Sequence, residues 1–173
     1  QYGAKALYES GLSVTTTLDV ELQRAANKAM DSGLRRLDKR RGYRRPVRNV
    51  IESGDTIETF TEGRWARPMA VGDIVPAVVE QLGKLAPPGG VRLKIGRYRG
   101  DLTRSGFAWT RRASAEELFK LGDVIEVELT AIDEADAVMT VALEQTPIVE
   151  GALIAIDNKT GHVKAMVGGW SFG

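Results

Sequence analysis

Residues 124–143 read VIEVELTAIDEADAVMTVAL, and this stretch decides the fold. Polar and apolar side chains alternate from residue 126 to residue 131, and the alternation resumes at Met139 after a polar turn at residues 134–136. A period of two is typical of a strand with one buried face. The stretch therefore predicts two strands joined by a short turn.

Further short strands are predicted upstream. Val91, Leu93 and Ile95 alternate with polar residues, which indicates another half-buried strand, and Pro76 within an apolar run indicates an edge strand or a bulge. Gly-Asp pairs, which are typical of turns, recur at residues 54–55, 72–73, 100–101 and 122–123. Several short strands in roughly 100 residues, with one brief helical stretch at residues 114–120, predict a small barrel or a sandwich.

The two ends of the chain predict different elements. Residues 12–17 are rich in β-branched side chains and predict a strand. Asp19 is a natural N-cap for a helix that starts near Val20 and ends near Arg40, because apolar residues recur there at steps of three and four. Near the other end, residues 152–157 and 162–168 predict a hairpin.

The composition excludes several classes of protein. Lys and Arg number 24 against 23 Asp and Glu, and 43% of the residues are hydrophobic, as in a folded protein rather than a disordered one. The chain has no cysteine, which excludes disulfides, thiolate metal sites and a cysteine nucleophile. It has no long apolar run and no signal peptide. Because it begins at Gln1 without Met, we expect a piece of a longer protein.

Charge is segregated along the chain. Residues 35–48 contain eight basic residues and one acidic residue, residues 92–112 contain seven and one, and residues 115–150 contain ten acidic residues and one basic residue. Such segments predict oppositely charged faces, which suit binding better than chemistry.

The two basic segments lead to two hypotheses. Tyr43 lies among the first group of arginines and Tyr98 and Trp109 among the second, as in OB-fold nucleic-acid binders whose aromatic rings stack on bases. Alternatively, the barrel binds a protein or an anionic glycan strand. The candidate interaction residues are Arg97, Tyr98, Trp109 and Arg111, although Trp109 beside Phe107 is also a candidate for filling the barrel.

No catalytic, cofactor or metal site is predicted. His162 is the only histidine, no Gly-x-Ser-x-Gly motif accompanies it, and a solvent-facing position is favoured. Lys159-Thr160-Gly161 matches one of three motifs of penicillin-binding proteins, but Ser-x-x-Lys and Ser-x-Asn occur nowhere in the chain. The triplet is therefore interpreted as a turn.

Three longer blocks resemble class A penicillin-binding proteins of the 1A type. Residues 11–26, GLSVTTTLDVELQRAA, are similar to the strand and helix that lead into the transpeptidase region, and residues 38–46, DKRRGYRRP, to the segment that follows. Residues 145–157, QTPIVEGALIAID, with AMVGG at residues 165–169, resemble the strand pair before the nucleophile motif. Between the blocks the resemblance is looser, through Trp109 and the Gly-Asp run at residues 122–125.

The resemblance implies a domain organisation and a function. Residues 1–45 and 148–173 would be parts of an α+β transpeptidase domain, and residues 46–147 an OB-like barrel inserted into it, so the chain as a whole would be mainly β with one N-terminal α-helix. The parent would be a bifunctional peptidoglycan synthase, with glycosyltransferase and D,D-transpeptidase activities, anchored in the inner membrane of a Gram-negative bacterium and facing the periplasm.

The resemblance also implies the partners. The catalytic residues of both activities would lie outside this chain, which leaves it non-catalytic. The barrel would bind a periplasmic regulator, its own transpeptidase domain or glycan strands. No nucleic acid would be expected, and contact with the membrane would come only through an anchor upstream. The two ends are expected to pack together, so that deleting residues 1–39 would expose Leu153, Ile154, Val163 and Val167.

Overall fold

The computed structural model describes Ser13, residues 15–83 and residues 89–169. The chain forms two compact units, which divide between Leu34 and Arg35 and again between Ile148 and Val149. The helix α1 (Val20–Arg40) contributes residues to both units. The assignment of residues 46–147 to an OB-like domain inserted into a transpeptidase domain, to which residues 1–45 and 148–173 would belong, stays a prediction.

The second unit contains a closed five-stranded barrel. Its strands are β1 (Ile74–Gln81), β2 (Val91–Ile95), β3 (Tyr98–Leu102), β4 (Val124–Asp133) and β5 (Val138–Glu144). Around the barrel the order is β1-β2-β3-β5-β4, and β4 closes onto β1. Neighbours are antiparallel except for β3 and β5, which are parallel. A mainly β chain with a small OB-like barrel and one long helix is thus confirmed.

The alternation that predicts the strands also builds the core. In β2 the apolar residues Val91, Leu93 and Ile95 are buried and the residues between them are half-buried. Phe107, which is fully buried, fills the barrel from the 3-10 helix Arg104–Thr110. Gly100 lies opposite Leu93, and a Cβ at Gly100 would come within 2.9 Å of the Ile95 side chain. A small residue is therefore required at that point of the wall.

Pro76 has a paired neighbouring strand on one side only. It pairs with Glu126 of β4, whereas pairing of β1 with β2 begins at Val78. Its carbonyl oxygen accepts a hydrogen bond from the Trp65 indole N–H at 2.8 Å. The irregularity in β1 falls between Val79 and Gln81, not at the proline. A proline is tolerated at Pro76 because β2 makes no ladder bond there.

The first unit consists of the larger part of α1 and a two-stranded sheet. The predicted N-cap is confirmed, because Asp19 Oδ1 accepts hydrogen bonds from the amides of Glu21 and Leu22, both at 3.0 Å. The predicted hairpin is also confirmed, as β6 (Ala152–Ile156) and β7 (Val163–Gly168) pair antiparallel.

The predicted strand at residues 12–17 is not a strand where the structure describes it. Leu12 and Val14 lie outside the described residues, and Ser13 and residues 15–17 belong to no strand. The segment nevertheless lies along β7. Thr17 Oγ1 donates to the carbonyl of Val163 at 2.7 Å, and the amide of Asp19 donates to Lys164 at 2.9 Å.

One expected pattern of burial in the hairpin is wrong. Leu153 and Val167 are half-buried, but Ile154 is 57% exposed and Val163 40% exposed with the helix in place. Side chains alternate across a strand, so these four residues lie on two faces rather than one. The buried residue on the covered face is Ala165.

Within the described ranges, no helix is long and apolar enough to cross a membrane.

Candidate functional site

The four candidate interaction residues fall into two groups. Arg97 and Tyr98 lie at the turn between β2 and β3. Trp109 belongs to the 3-10 helix Arg104–Thr110, and Arg111 ends that helix. The first group lies near the start of β5, where Val138 pairs with Arg99 of β3. The second group lies near the end of β5, where the Trp109 indole donates to the carbonyl of Leu143. Five residues of strand separate the two groups by about 16 Å.

Arg97 and Tyr98 form a surface cluster with Glu134, which lies in the turn between β4 and β5. Arg97 and Glu134 are exposed, and Tyr98 is half-buried against the barrel core. The Tyr98 hydroxyl donates to Glu134 Oε2 at 2.7 Å, and Arg97 Nη2 lies 3.0 Å from the same oxygen. The Arg97 guanidinium also lies 4.8 Å from the centre of the Tyr98 ring. The pKa of Arg97 is raised, first by its hydrogen bond to the Tyr98 hydroxyl and then by electrostatic attraction to Tyr98 and to Glu134. The cluster is a preorganised surface feature rather than a free positive charge.

A cleft of about 370 Å³ borders this cluster. Lys94 lines it, but its ammonium group donates to three main-chain carbonyls, those of Ile57, Glu58 and Phe60, at 2.6–3.0 Å. This cation therefore holds the segment before β1 in place. The cleft is lined by Glu58, Glu80, Lys94, Gly96, Arg97, Tyr98, Arg99, Asp136 and Ala137.

Trp109 is half-buried against the core of the barrel. Its indole N–H donates to the carbonyl of Leu143 at 3.1 Å, and its ring packs edge-on against Tyr43 at a centroid distance of 5.9 Å. The ammonium of Lys39 lies 5.4 Å from the ring centre. Arg111 is exposed and has a left-handed backbone conformation with φ of 60°. The role of both residues in binding a partner stays a prediction.

Tyr43 is not available as a stacking platform. Its ring packs edge-on against Trp109 and against Phe119, the latter at 5.7 Å, and it forms part of the packing around the barrel core. Burial, together with the nearby carboxylate of Asp123, raises the pKa of Tyr43 well above its usual range. The half-buried ring of Tyr43 is engaged in this packing, which disfavours its use as a stacking platform for a base.

Several cations of the first basic segment are already paired with carboxylates. Lys39 forms an ion pair with Glu144, and Arg35 Nη1 lies 3.6 Å from the second oxygen of that carboxylate. These pairs reduce the charge that residues 35–48 could offer to phosphates, which disfavours the nucleic-acid hypothesis. Further pairs join Arg44 to Asp38 and Arg48 to Glu62.

A polar network that the sequence analysis missed lies at the end of α1. Asp38 is completely buried, and its carboxylate accepts hydrogen bonds from Arg44 Nη1 at 2.8 Å and Gln145 Nε2 at 2.7 Å. The amide of Ile148 donates to the other oxygen at 3.3 Å. We call Asp38, Arg44, Gln145 and Ile148 the Asp38 network. The signal in the sequence was Asp38 itself, the one acidic residue among eight basic ones.

Neither the cluster nor the network contains a nucleophile paired with a base. Among the residues that the structure describes, no group of three potential metal ligands occurs. His162 is exposed just before β7, and residues 158–160 form a turn in which Asp157 Oδ1 accepts from the Lys159 amide at 2.9 Å. The turn interpretation of Lys159-Thr160-Gly161 is confirmed.

Relatives with one name align with almost the whole chain. Penicillin-binding protein 1A of Rickettsia conorii is 31% identical over 174 residues, which cover 97% of this chain and 20% of the relative. Penicillin-binding protein 1A of Neisseria flavescens is 30% identical over 173 residues, which cover 99% of this chain and 21% of the relative. The chain thus spans about one fifth of the length of these curated relatives.

A solved structure has the same fold. The crystal structure of penicillin-binding protein 1A from Haemophilus influenzae matches 98% of this chain and 24% of that chain, with a TM-score of 0.70 and 24% identity. No protein-family model matches the chain. Relatives from different bacteria are 30–31% identical to this chain over almost its whole length, and the solved structure has the same fold. This chain therefore belongs to the penicillin-binding protein 1A family.

Proposed function

We propose that this chain is a non-catalytic part of a bifunctional peptidoglycan synthase and that its OB-like barrel is an interaction module. The observation that carries the proposal is the alignment of 97% of the chain with one fifth of a penicillin-binding protein 1A, combined with the lack of a Ser-x-x-Lys motif. The acyl-forming serine would then lie outside this chain.

The surface cluster of Arg97, Tyr98 and Glu134 supports the second half of the proposal. Arginine and tyrosine contribute strongly to the energetics of interfaces, and here their side chains are held together by two hydrogen bonds to one carboxylate. A preorganised side chain loses less conformational entropy when it binds. The adjoining cleft supplies a concave surface beside it.

The partner and the location belong to the same proposal. The barrel would bind a periplasmic regulator, its own transpeptidase domain or peptidoglycan glycan strands. The parent would carry a glycosyltransferase and would be held in the inner membrane of a Gram-negative bacterium by an anchor outside this chain. Residues 1–45 and 148–173 would be transpeptidase segments on either side of the barrel.

The nucleic-acid alternative is not favoured. The packing of the half-buried Tyr43 ring and the ion pairs of Lys39 and Arg44 weaken the features on which this alternative depended. Titration with single-stranded oligonucleotides between low and moderate salt measures it directly. We expect only weak binding without sequence preference. Tight binding that weakens steeply with salt would restore the alternative, because counterion release is the signature of phosphate contacts.

Capture from a bacterial envelope extract tests the interaction role. The bait is the whole chain, compared with an Arg97→Glu/Arg111→Glu variant and with an Arg41→Glu/Arg67→Glu control that changes charge equally at other exposed positions. We expect a partner that the wild type and the control retain and that the Arg97/Arg111 variant loses. Equal recovery by all three would mean that Arg97 and Arg111 are only solvated surface residues.

A further inference from the structure

We propose that the Asp38 network is a polar latch, which holds the end of α1 on the barrel and opens without unfolding the barrel. The inference concerns the mechanics of the second unit and does not depend on the proposed function. It rests on the kind of contact that each part of the unit makes.

The end of α1 has almost no apolar anchor in the second unit. Among its residues 35–40, Asp38 is the only buried one, and Leu37, the only large apolar side chain, is 47% exposed. The contacts are instead ion pairs and hydrogen bonds. Besides the Asp38 network they include the ion pair of Lys39 with Glu144 and the hydrogen bond from Arg35 to the carbonyl of Gln145 at 3.1 Å.

The barrel is held in a different way. Its strands bury a continuous set of apolar side chains, including Leu93, Phe107 and Leu129, all of which are fully buried. Burial of apolar surface is the dominant stabilising contribution to folding, and the hydrogen bonds of the strands form a closed ladder. Opening any part of the barrel exposes this core to water.

Opening the latch has a smaller cost. Hydrogen bonds and ion pairs between protein groups are exchanged for bonds to water when both partners are released together, so the net loss is small. Arg44 is 35% exposed even in the closed state, which gives water a route to the pair. Segments held by few apolar contacts open at lower free energy than the core.

Opening would also change a surface. A groove of about 360 Å³ lies between residues 43–48 and strands β4 and β5. Arg44 and Gln145 line this groove and are members of the Asp38 network. Release of the latch would free the side chains of Arg44 and Gln145, which line the groove. The groove would then change shape while Tyr43 keeps its packing against Trp109 and Phe119 and the barrel stays folded.

Native-state hydrogen exchange on the whole chain tests the proposal. The latch reporters are the amides of Arg44 and Ile148, which donate to the side chains of Gln145 and Asp38 respectively. The barrel reporters are the amides of Val79 and Leu129, which donate to the main-chain carbonyls of Asp123 and Asp73. We expect the latch amides to exchange at least about tenfold faster than the barrel amides under native conditions. Equal rates for both sets would overturn the proposal.

Two variants separate a latch from an ordinary part of the core. Asp38→Asn should accelerate exchange at Arg44 and Ile148 by about tenfold or more and leave Val79 and Leu129 nearly unchanged. Gln145→Ala, a milder change, should act in the same direction. If both variants accelerate the barrel amides by the same factor as the latch amides, or fail to fold, the network is part of the barrel's cooperative core and the proposal is wrong.

Discussion

The Oδ2 atom of Asp38 lies 2.7 Å from Nε2 of Gln145, although 107 positions separate the two residues in the sequence. The Gln145 side chain also accepts a hydrogen bond from the amide of Arg44 and donates one to the carbonyl of Gly42, both at 3.1 Å. One side chain thus joins the segment that precedes the barrel to the segment that leaves it. This contact brings together the two ends of the second unit.

Replacing Asp38 tests how firmly that contact is fixed. An ion pair that cannot open would cost about 3–5 kcal/mol when one partner is removed. Because we propose that the network opens, Asp38→Asn should lower the free energy of unfolding by only about 1–3 kcal/mol, the cost of leaving partners unsatisfied. Urea denaturation measures the difference, with Asp55→Asn, an exposed carboxylate, as the control. A loss above about 4 kcal/mol would argue for a rigid lock.

Gly90 is required by close packing just before β2. A Cβ added there would lie 2.4 Å from the carbonyl oxygen of Leu102, which is main chain and cannot turn aside. Gly90→Ala should therefore destabilise the barrel by about 1–3 kcal/mol. Gly63→Ala is the control, because a Cβ at Gly63 meets nothing within 4 Å. Equal stability of the two variants in thermal or urea unfolding would show that the backbone at Gly90 relaxes freely.

Gln23 closes the outer edge of β7. Its carboxamide accepts from the amide of Met166 at 2.9 Å and donates to the carbonyl of the same residue at 3.0 Å, as a neighbouring strand would. Gln23→Ala should accelerate hydrogen exchange at the Met166 amide by about fivefold, since about 1 kcal/mol of hydrogen bonding is lost.

Asn27→Ala is the matched control for that change. It removes the 2.9 Å contact between Gln23 and Asn27 and leaves the pair with Met166 in place. The control should leave exchange at Met166 nearly as in the wild type. If Asn27→Ala accelerates exchange as much as Gln23→Ala does, a general loosening of α1 explains the effect.

Tyr43 is expected to make the free energy of unfolding decrease as the pH rises into the alkaline range. Burial raises its pKa in the folded chain, whereas an unfolded tyrosine loses its proton near about pH 10. Between these two pKa values the folded state binds more protons than the unfolded state, so the free energy of unfolding falls as pH rises above about 10. Below that pH the full contribution is present. Tyr43→Phe should flatten this fall between pH 9 and 11, by about 1 kcal/mol or more. Identical pH profiles would contradict the burial of the hydroxyl.

The sequence predicted the elements of this chain better than their assembly. Alternation along β2, β4 and β5 and the cap at Asp19 are local signals, and each produced the expected element. The strand order of the barrel depends on pairing between distant segments, and alternation alone does not distinguish a barrel from a sandwich.

The candidate site shows the same division. Arg97 and Tyr98 are adjacent in sequence and lie together in the structure, but Trp109 lies near the other end of β5. The role of Glu134 in the cluster was not predicted, because it comes from a turn 36 residues after Tyr98. The Asp38 network was missed for a similar reason. Its members are three polar side chains and the main-chain amide of Ile148, from the segments before and after the barrel, and no periodicity relates them.

Reaction of the whole chain with a fluorescent penicillin tests the central proposal, that this chain is a non-catalytic part of a peptidoglycan synthase. The chain contains no Ser-x-x-Lys motif to form an acyl-enzyme, so we expect no covalent label after incubation and denaturing electrophoresis. A penicillin-binding transpeptidase that carries the motif serves as the positive control. A stoichiometric, denaturation-resistant adduct on this chain would contradict the account.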